Sequence, residues 1–224
     1  MLTVSVVIPT LNEASVLPAT LRRVAAQPGP KEVVVVDGQS TDGTQEVAQR
    51  MGATVLQTPP GRAVQMNRGA AHSDGDALLF LHADTLLPAD GLSAIRRALA
   101  DPDVDAGTFR LQFARETPLL RLYAWATRLP WIRIAFGDRG LFVRRAAFEA
   151  AGGYPEWPIF EDLELAHRLD QRGGFRFLND AVLTSPRRFE ANGTVRQQLR
   201  NTSLWLHYCL GTDPDRVAHR YPYR

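Results

Sequence analysis

The stretch VVVVDGQSTDGT, Val33 to Thr44, opens as a run of four valines and closes in turn residues. β-Branched residues without polar alternation read as a strand covered on both faces, the pattern of a parallel sheet. The Asp-Gly and Ser-Thr-Asp-Gly that follow are turn chemistry, with Asp42 placed to cap a helix at Thr44. Asp37 fits that bland reading less well. It stands at the carboxyl end of the strand, where open α/β sheets bind ligands. Its carboxylate could accept a ring N–H, and Gly38 would let a ligand approach the backbone.

The same unit repeats on either side. Val4–Ile8, Thr54–Leu56 and Ala77–Leu81 read as further strands, separated by helical patterns over Glu13–Gln27, Thr44–Met51, Arg62–His72 and Asp90–Ala100. Strands alternating with helices at this spacing predict an α/β, Rossmann-like fold with a mostly parallel central sheet flanked by helices. Polar residues gather after three strands, at Thr10–Glu13, Asp37–Ser40 and His82–Asp84, so these loops should face one crevice. The second half is less regular. Gly107–Phe113, Gly140–Val143 and Phe175–Leu178 read as strands, Glu161–Gln171 and Val195–Leu210 as helices. Leu119–Phe136 is apolar and dotted with arginines. No linker or repeat divides the chain, so 1–224 reads as a single domain with two functional halves, 1–100 and 101–224.

Composition narrows the function. Twenty-six basic against 24 acidic residues give a net charge of +2, which argues against wholesale nucleic-acid binding. Cys209 is the only cysteine, so no intrachain disulfide forms, as expected in a reducing cytoplasm. MLTVSVVIPTLNE lacks the basic and apolar regions of a secretory signal, and no apolar run approaches the ~20 residues of a spanning helix. A cytoplasmic protein, with a peripheral membrane contact left open, is the expectation.

Three further stretches carry candidate chemistry. In GRAVQMNRGA, Gly61–Ala70, Arg62 sits at a helix N-terminus, where its charge opposes the dipole unless an anion binds there too. In LLFLHADT, Leu78–Thr85, an extended chain would project His82 and Asp84 to one side roughly 7 Å apart. One carboxylate with substrate phosphates suits Mg²⁺, and an added imidazole suits Mn²⁺. In PIFEDLEL, a helical wheel centres Asp162 on the stripe of Leu165, Ala166 and Leu169, while Glu161 and Glu164 fall off it. An inward carboxylate near the crevice reads as a general base. Arg187 and Arg188, in TSPRRFEANGT, read either as a basic surface loop or as a clamp on a diphosphate.

Taken in order, VVIPTLNEASVLPATL, VVVVDGQSTDGT, HAD, GGYPE (Gly152–Glu156) and the Glu-Asp of FEDLEL resemble the family 2 glycosyltransferases, whose fold is GT-A. The resemblance runs from Val6 to about Phe189. GRAVQMNRGA, LLFLHADT, GDRGLFVRR and TSPRRF further resemble small bacterial transferases described as rSAM/selenodomain-associated or arsenosugar-type. The resemblance implies a metal-dependent, inverting, non-processive transfer from a nucleotide-sugar, commonly UDP-linked, to an acceptor hydroxyl on a small molecule or a lipid. It implies a nucleotide-binding half in 1–100 and an acceptor and catalytic half in 101–224.

By position, it implies that Pro9, Asn12, Glu13 and Asp37, with Gly38, form the nucleotide pocket, to which the reading of the residues themselves adds Arg62, and Arg187 or Arg188, on the diphosphate. Asp84, with His82, would hold the divalent cation, Mn²⁺ or Mg²⁺. Asp162 would be the base, and Gly137, Asp138, Gly153, Tyr154 and Glu161 would border the acceptor. The chain departs from the family pattern twice: His82 replaces the first acid of D-x-D, and Phe189 stands where processive members carry tryptophan. A non-catalytic nucleotide-sugar binder and a nucleotidyltransferase on a related fold remain as alternatives, although the first loop lacks the glycine-rich, basic sequence of the latter. The aromatics Trp125, Trp131 and Trp205 leave homodimer and membrane-surface contacts open.

Overall fold

The computed structural model of the chain describes residues 1–115, 117–134 and 136–218. Ala135, within the apolar stretch read from the sequence, lies outside them. The valine runs become strands because each alternate residue is taken up by a different face. In β1 (Val4–Thr10) all seven residues are buried. Val4, Val6 and Ile8 pack with Leu17, Leu21 and Val24 of α1 (Leu17–Ala25) and with Leu92 and Ile95 of α4 (Gly91–Ala98). Val7, with Val34 and Val36 of β2 (Lys31–Asp37), packs the other way, against Met66 and Ala70 of α3 (Arg62–His72). Full burial of each such side chain contributes roughly 1.5–3 kcal/mol.

β1 pairs in parallel with β2 and with β4 (Ala77–Phe80), and β2 pairs in parallel with β3 (Thr54–Gln57). The carboxyl ends of β1, β2 and β4 therefore lie at one edge, as the alternating pattern predicts. Beyond β4 the sheet continues through β7 (Leu141–Arg144), β6 (Ala106–Phe113), β8 (Phe175–Thr184) and β5 (Thr85–Leu86), in the order β3-β2-β1-β4-β7-β6-β8-β5. β7 is antiparallel to β4 and to β6, whereas β6 and β8 run parallel.

Several elements differ from the sequence-based expectation. α1 starts at Leu17 rather than Glu13, because Pro18 favours the first turn of a helix. β8 is far longer than Phe175–Leu178, and the two-residue β5 pairs with its far end, Thr85 opposite Thr184 with hydroxyl oxygens 3.0 Å apart. TSPRRF is not a loop: Arg187 starts the short helix α8 (Arg187–Asn192). In the first half α2 (Thr44–Arg50) joins β2 to β3, and the second half also holds α5 (Pro118–Ala126), α6 (Arg145–Ala150), α7 (Glu161–Gln171), α9 (Thr194–Cys209) and α10 (Pro214–Ala218) around the sheet. Among the described residues no helix is long and apolar enough to cross a membrane.

The β6 edge is packed without slack. A Cβ on Gly107 would stand 2.1 Å from the Arg176 carbonyl oxygen and 2.5 Å from the Phe142 ring, neither of which can swing aside. Gly107→Ala is expected to cost about 3 kcal/mol, as overpacking of this kind does. That corresponds to a Tm lower by roughly 6–12 °C in a thermal melt; an unchanged Tm would show that the β6–β8 seam can open.

Candidate active site

The first two strand-end loops are stitched into one surface. Asn12 and Gln39 are both held in the left-handed region, at φ of 55° and 69°. Asn12 Oδ1 accepts from the Thr41 N–H at 2.9 Å, and the Asn12 N–H donates to Ser40 Oγ at 2.8 Å. The Glu13 N–H donates to Thr44 Oγ1 and the Ala14 N–H to Asp42 Oδ2, at 2.9 and 3.0 Å. Asp42 also accepts from the Thr44 N–H at 3.1 Å, although the residue in the cap position of α2 is Gly43.

Asp37 is fully buried at the centre of these loops. It accepts from Thr10 Oγ1 at 3.1 Å, from the Ser40 N–H at 2.8 Å, from Ser40 Oγ, and from Gln45 Nε2 at 2.8 Å. A carboxylate offers about four acceptor positions, so a ligand N–H reaching Asp37 would take the place of a side-chain donor such as Gln45. Gly38 is also required by the packing of the chain itself. A Cβ there would lie 3.2 Å from both Gln65 Nε2 and Pro60 Cα, so the chain's own packing accounts for the glycine. Gln65, not singled out from the sequence, donates to the carbonyls of Thr10 and Val36 and locks the two strand ends together. Pro9 is buried in β1 opposite Val36, two residues past the last β1–β4 pairing, where its missing N–H breaks no ladder bond.

The short β5–β8 pair brings the end of β8 beside the end of β4. As a result Arg187 Nη2 donates to Glu13 Oε2 at 2.8 Å and to Asp84 Oδ2 at 2.9 Å. One guanidinium thus bridges carboxylates from the first and third loops, while Arg188 is exposed beside it. Burial pushes the Glu13 carboxyl up, with Arg187 pulling against it. Burial, with Arg62 adding to it, pushes the His82 imidazole down to about 4 despite Asp84 and Asp162, so His82 is neutral at physiological pH.

The second half supplies the opposite wall. Asp162, 8% exposed, accepts from the Gly137 N–H through Oδ2 and from the Leu163 N–H through Oδ1 at 2.8 Å. Its inward position agrees with the helical wheel. A Cβ on Gly137 would stand 2.9 Å from Asp162 Oδ2 and 3.4 Å from His82 Nε2, so this glycine lets three elements meet. Phe160, just before α7, is held at φ 65°, a conformation that bulky residues avoid and that strained sites tolerate.

Glu161 does not point away, as the wheel implies. It is 1% exposed and ion-pairs through Oε1 with Arg62 Nε at 2.8 Å. The anion that the Arg62 position calls for is therefore supplied, in this structure, by the chain itself. Burial raises the Glu161 carboxyl, Arg62 lowers it and Asp162 raises it further. Glu164 does face outward, paired with Arg168 one turn on at 2.8 Å.

Tyr154 is a core residue, its ring edge-on to Phe80 at 4.8 Å, with its backbone N–H and carbonyl both bonded to the Asn67 amide. Gly153, at φ 68°, packs against Asn67 Oδ1, 2.9 Å from where a Cβ would be. Arg139 was not legible as a site residue. It is 1% exposed and donates to the carbonyls of Phe109, Thr127 and Ile134, fixing the segment that carries Gly137 and Asp138. No spacing in the sequence marks an arginine that bonds only to backbone.

Asp84, paired with Arg187, and His82, whose Nε2 faces Gly137, would offer one carboxylate and one neutral imidazole. That set fits a divalent ion completing its shell with phosphate oxygens and water. Among the described residues no group of three His, Cys, Asp or Glu side chains is placed to hold an ion by itself.

A crevice at the carboxyl edge of a parallel sheet, walled by acids from both halves, invites comparison with known proteins. The model of Glycosyl transferase family 2 matches residues 5–149, well over half of the chain. The chain belongs to that family. It is 33% identical over 163 residues to a PGL/p-HBAD biosynthesis glycosyltransferase of Mycobacterium bovis, covering 67% of this chain and 62% of that protein. It is 28% identical over 207 residues to the probable glycosyltransferase YdaM of Bacillus subtilis, covering 80% and 49%. The chain thus spans less than two thirds of the length of these curated relatives.

Among solved structures, the mannosyltransferase PcManGT of Pyrobaculum calidifontis, in complex with GDP-Man and Mn²⁺, superposes with a TM-score of 0.63 at 26% identity. It covers 80% of this chain and 56% of that one. TarS of S. aureus in complex with UDP gives a TM-score of 0.68 at 20% identity over 82% and 60%, a likeness of fold alone. The architecture is that of the GT-A glycosyltransferases.

Asp138 gives the family 2 site a pH signature. Its Oδ1 is buried and, among the described residues, finds no hydrogen-bond partner. Burial, then repulsion from Asp162, raises its pKa from 3.8 to about 7. The folded protein thus binds a proton that the unfolded chain releases near 3.8, so this contribution to stability is complete at low pH and is lost as pH rises to about 7. Asp138→Asn keeps the side chain neutral throughout. Thermal melts from pH 5.5 to 8.5 are expected to show the wild-type Tm falling relative to the variant, and parallel curves would mean that Asp138 ionises without penalty.

Proposed function

We propose that the chain is an inverting, non-processive glycosyltransferase that moves a sugar from a nucleotide-sugar to an acceptor hydroxyl. The observation that carries this reading is Asp162. It is a largely buried carboxylate, oriented by two backbone N–H groups and meeting His82 of the third strand-end loop across Gly137. Residues 1–100 bind the nucleotide through Asn12, Glu13 and Asp37, and residues 101–224 bring the base and the acceptor side, which Gly137, Asp138, Gly153, Tyr154 and Glu161 border. The acceptor hydroxyl gives its proton to Asp162, its oxygen attacks the anomeric carbon, and the nucleoside diphosphate leaves from the opposite face.

Arg187 and Arg188 would rest against that diphosphate, with Arg62, paired with Glu161, on the facing wall. A divalent cation held by Asp84 and His82 would neutralise charge on the leaving diphosphate. Mn²⁺ and GDP-Man in PcManGT support a cation and a nucleotide-sugar, and the base of the nucleotide is read here as uracil. GRAVQMNRGA and TSPRRF support placing the chain with the rSAM/selenodomain-associated transferases, without naming a substrate. His82 in place of an acid favours the second reading, a nucleotide-sugar binder without turnover.

Asp162→Asn separates the two. General-base help is worth about 10²–10⁴-fold, so sugar transfer should fall by that factor while nucleotide binding persists. A thermal-shift panel of UDP, GDP, ADP, CDP and dTDP, with and without Mn²⁺, reads binding directly. A ligand at a hundred times its Kd adds ~2.7 kcal/mol, which should raise Tm by roughly 5–10 °C. Full transfer by the Asn variant would remove Asp162 as the base; no shift with any nucleotide would remove the donor site.

A further inference from the structure

α5 and α9 turn apolar side chains away from the core rather than into it. α5 buries Leu120 and presents Leu122, Trp125 and, just past its end, Leu129 on the opposite side of the wheel. α9 buries Gln197 and Leu204, while Val195, Leu199 and Leu206 form a stripe on its far side that Leu210 continues. The two helices pack against each other. Trp131 meets Trp205 edge-on at 5.8 Å, and Trp205 Nε1 donates to the Arg133 carbonyl at 2.7 Å. These outward side chains, with Trp131, are 46–81% exposed. Apart from Met1 and Leu11, they are all the exposed large apolar residues among the described ones.

Within their own segments the charge has one sign. Residues 117–137 and 191–212 contain no aspartate or glutamate, although the chain's 24 acids would place several in spans of that length. They carry Arg121, Arg128, Arg133, Arg196 and Arg200. On each helix the arginines flank the apolar stripe: Arg121 and Arg128 lie beside Leu122 and Trp125, Arg196 and Arg200 beside Val195 and Leu199.

We propose that this α5–α9 face lies on an anionic lipid bilayer, its leucines and tryptophans in the interfacial layer and its arginines at the lipid phosphates. The charge pattern decides against a second copy as the occupant. A two-fold contact would set Arg128, Arg133 and Arg196 of one copy against the same segments of the other, which contain no aspartate or glutamate. A bilayer containing anionic lipid supplies both the apolar depth and the negative charge.

The test is co-sedimentation of the full chain with phosphatidylcholine vesicles and with vesicles also containing phosphatidylglycerol. Binding is expected to the anionic vesicles, weakened by salt, with a blue shift of tryptophan emission. Leu199→Asp with Leu206→Asp should weaken it at least about tenfold. Arg128→Gln and Arg196→Gln should weaken it by about fivefold each. These side chains are on the exposed faces, so circular dichroism should be unchanged; Trp125→Ser serves as a second variant should the double leucine change disturb α9. Failure to bind anionic vesicles overturns the proposal, as does equal binding by all the variants. A concentration-dependent dimer that the leucine variant abolishes, without vesicle binding, overturns it in favour of a second copy.

Discussion

Carboxylates crowd the carboxyl edge of the sheet, and the cost of keeping them together organises everything around it. Glu13, Asp37, Asp84, Asp138, Glu161 and Asp162 converge there from both halves of the chain. Like charges held within a few ångströms in a partly dry site repel by several kcal/mol unless each is answered. The structure answers them in different ways. Asp37 is given neutral donors from Thr10, Ser40 and Gln45. Glu13 and Asp84 share one guanidinium. Glu161 takes Arg62, and Asp162 takes two backbone N–H groups. At Asp138, whose Oδ1 finds no hydrogen-bond partner among the described residues, burial and Asp162 outweigh Arg139 and push the carboxyl up to about 7 instead.

Backbone strain falls in the same place. The non-glycine residues with positive φ among those described are Asn12, Gln39 and Phe160, and each begins a segment of the site. Such conformations cost on the order of 1–3 kcal/mol each and persist where the surroundings over-determine them. The reciprocal bonds between Asn12, Ser40 and Thr41 do that for the first two. For Phe160 the restraint is packing: its ring lies 5.1 Å from Tyr208 of α9, within the cluster that joins α7 to the C-terminal helices.

The first half of this was legible in the sequence because its strands are covered on both faces and so read as unbroken apolar runs. α3 and α7 begin and end where their periodicity puts them, at Arg62–His72 and Glu161–Gln171. Legibility failed where an element is stabilised from outside itself. β5 has two residues and exists only as the partner of β8, yet it sets Arg187 beside Asp84. β8 was cut short in the reading because Asn179 and Asp180 interrupt its apolar pattern. Glu161 was misplaced for a related reason. A wheel with one inward stripe assumes one packed face, but α7 packs Leu165 and Leu169 against the sheet and Leu163 against Leu204 and Val217. A helix between two clusters has no outer face near its start, so a carboxylate off the main stripe can still be buried and must then find a cation.

That arrangement bears on how an anion could enter. Arg62 and Arg187 are the cations on either wall, and both are already engaged with carboxylates. A diphosphate arriving here meets the exposed Arg188 and two arginines already committed to carboxylates. It can take Arg187 only by exchange, and the exchange returns Glu13 and Asp84 to mutual repulsion. Breaking a buried pair in this way costs far more than rearranging an exposed one. Arg187 keeps close to half of its side-chain surface in contact with solvent, whereas Glu161 is almost wholly enclosed. The exchange is therefore cheaper at Arg187 than at Arg62. Additional positive charge beside Asp84 would make it cheaper still, which is the physical case for placing the cation there and for leaving Arg62 with Glu161 as part of the wall that holds Asp162 in place.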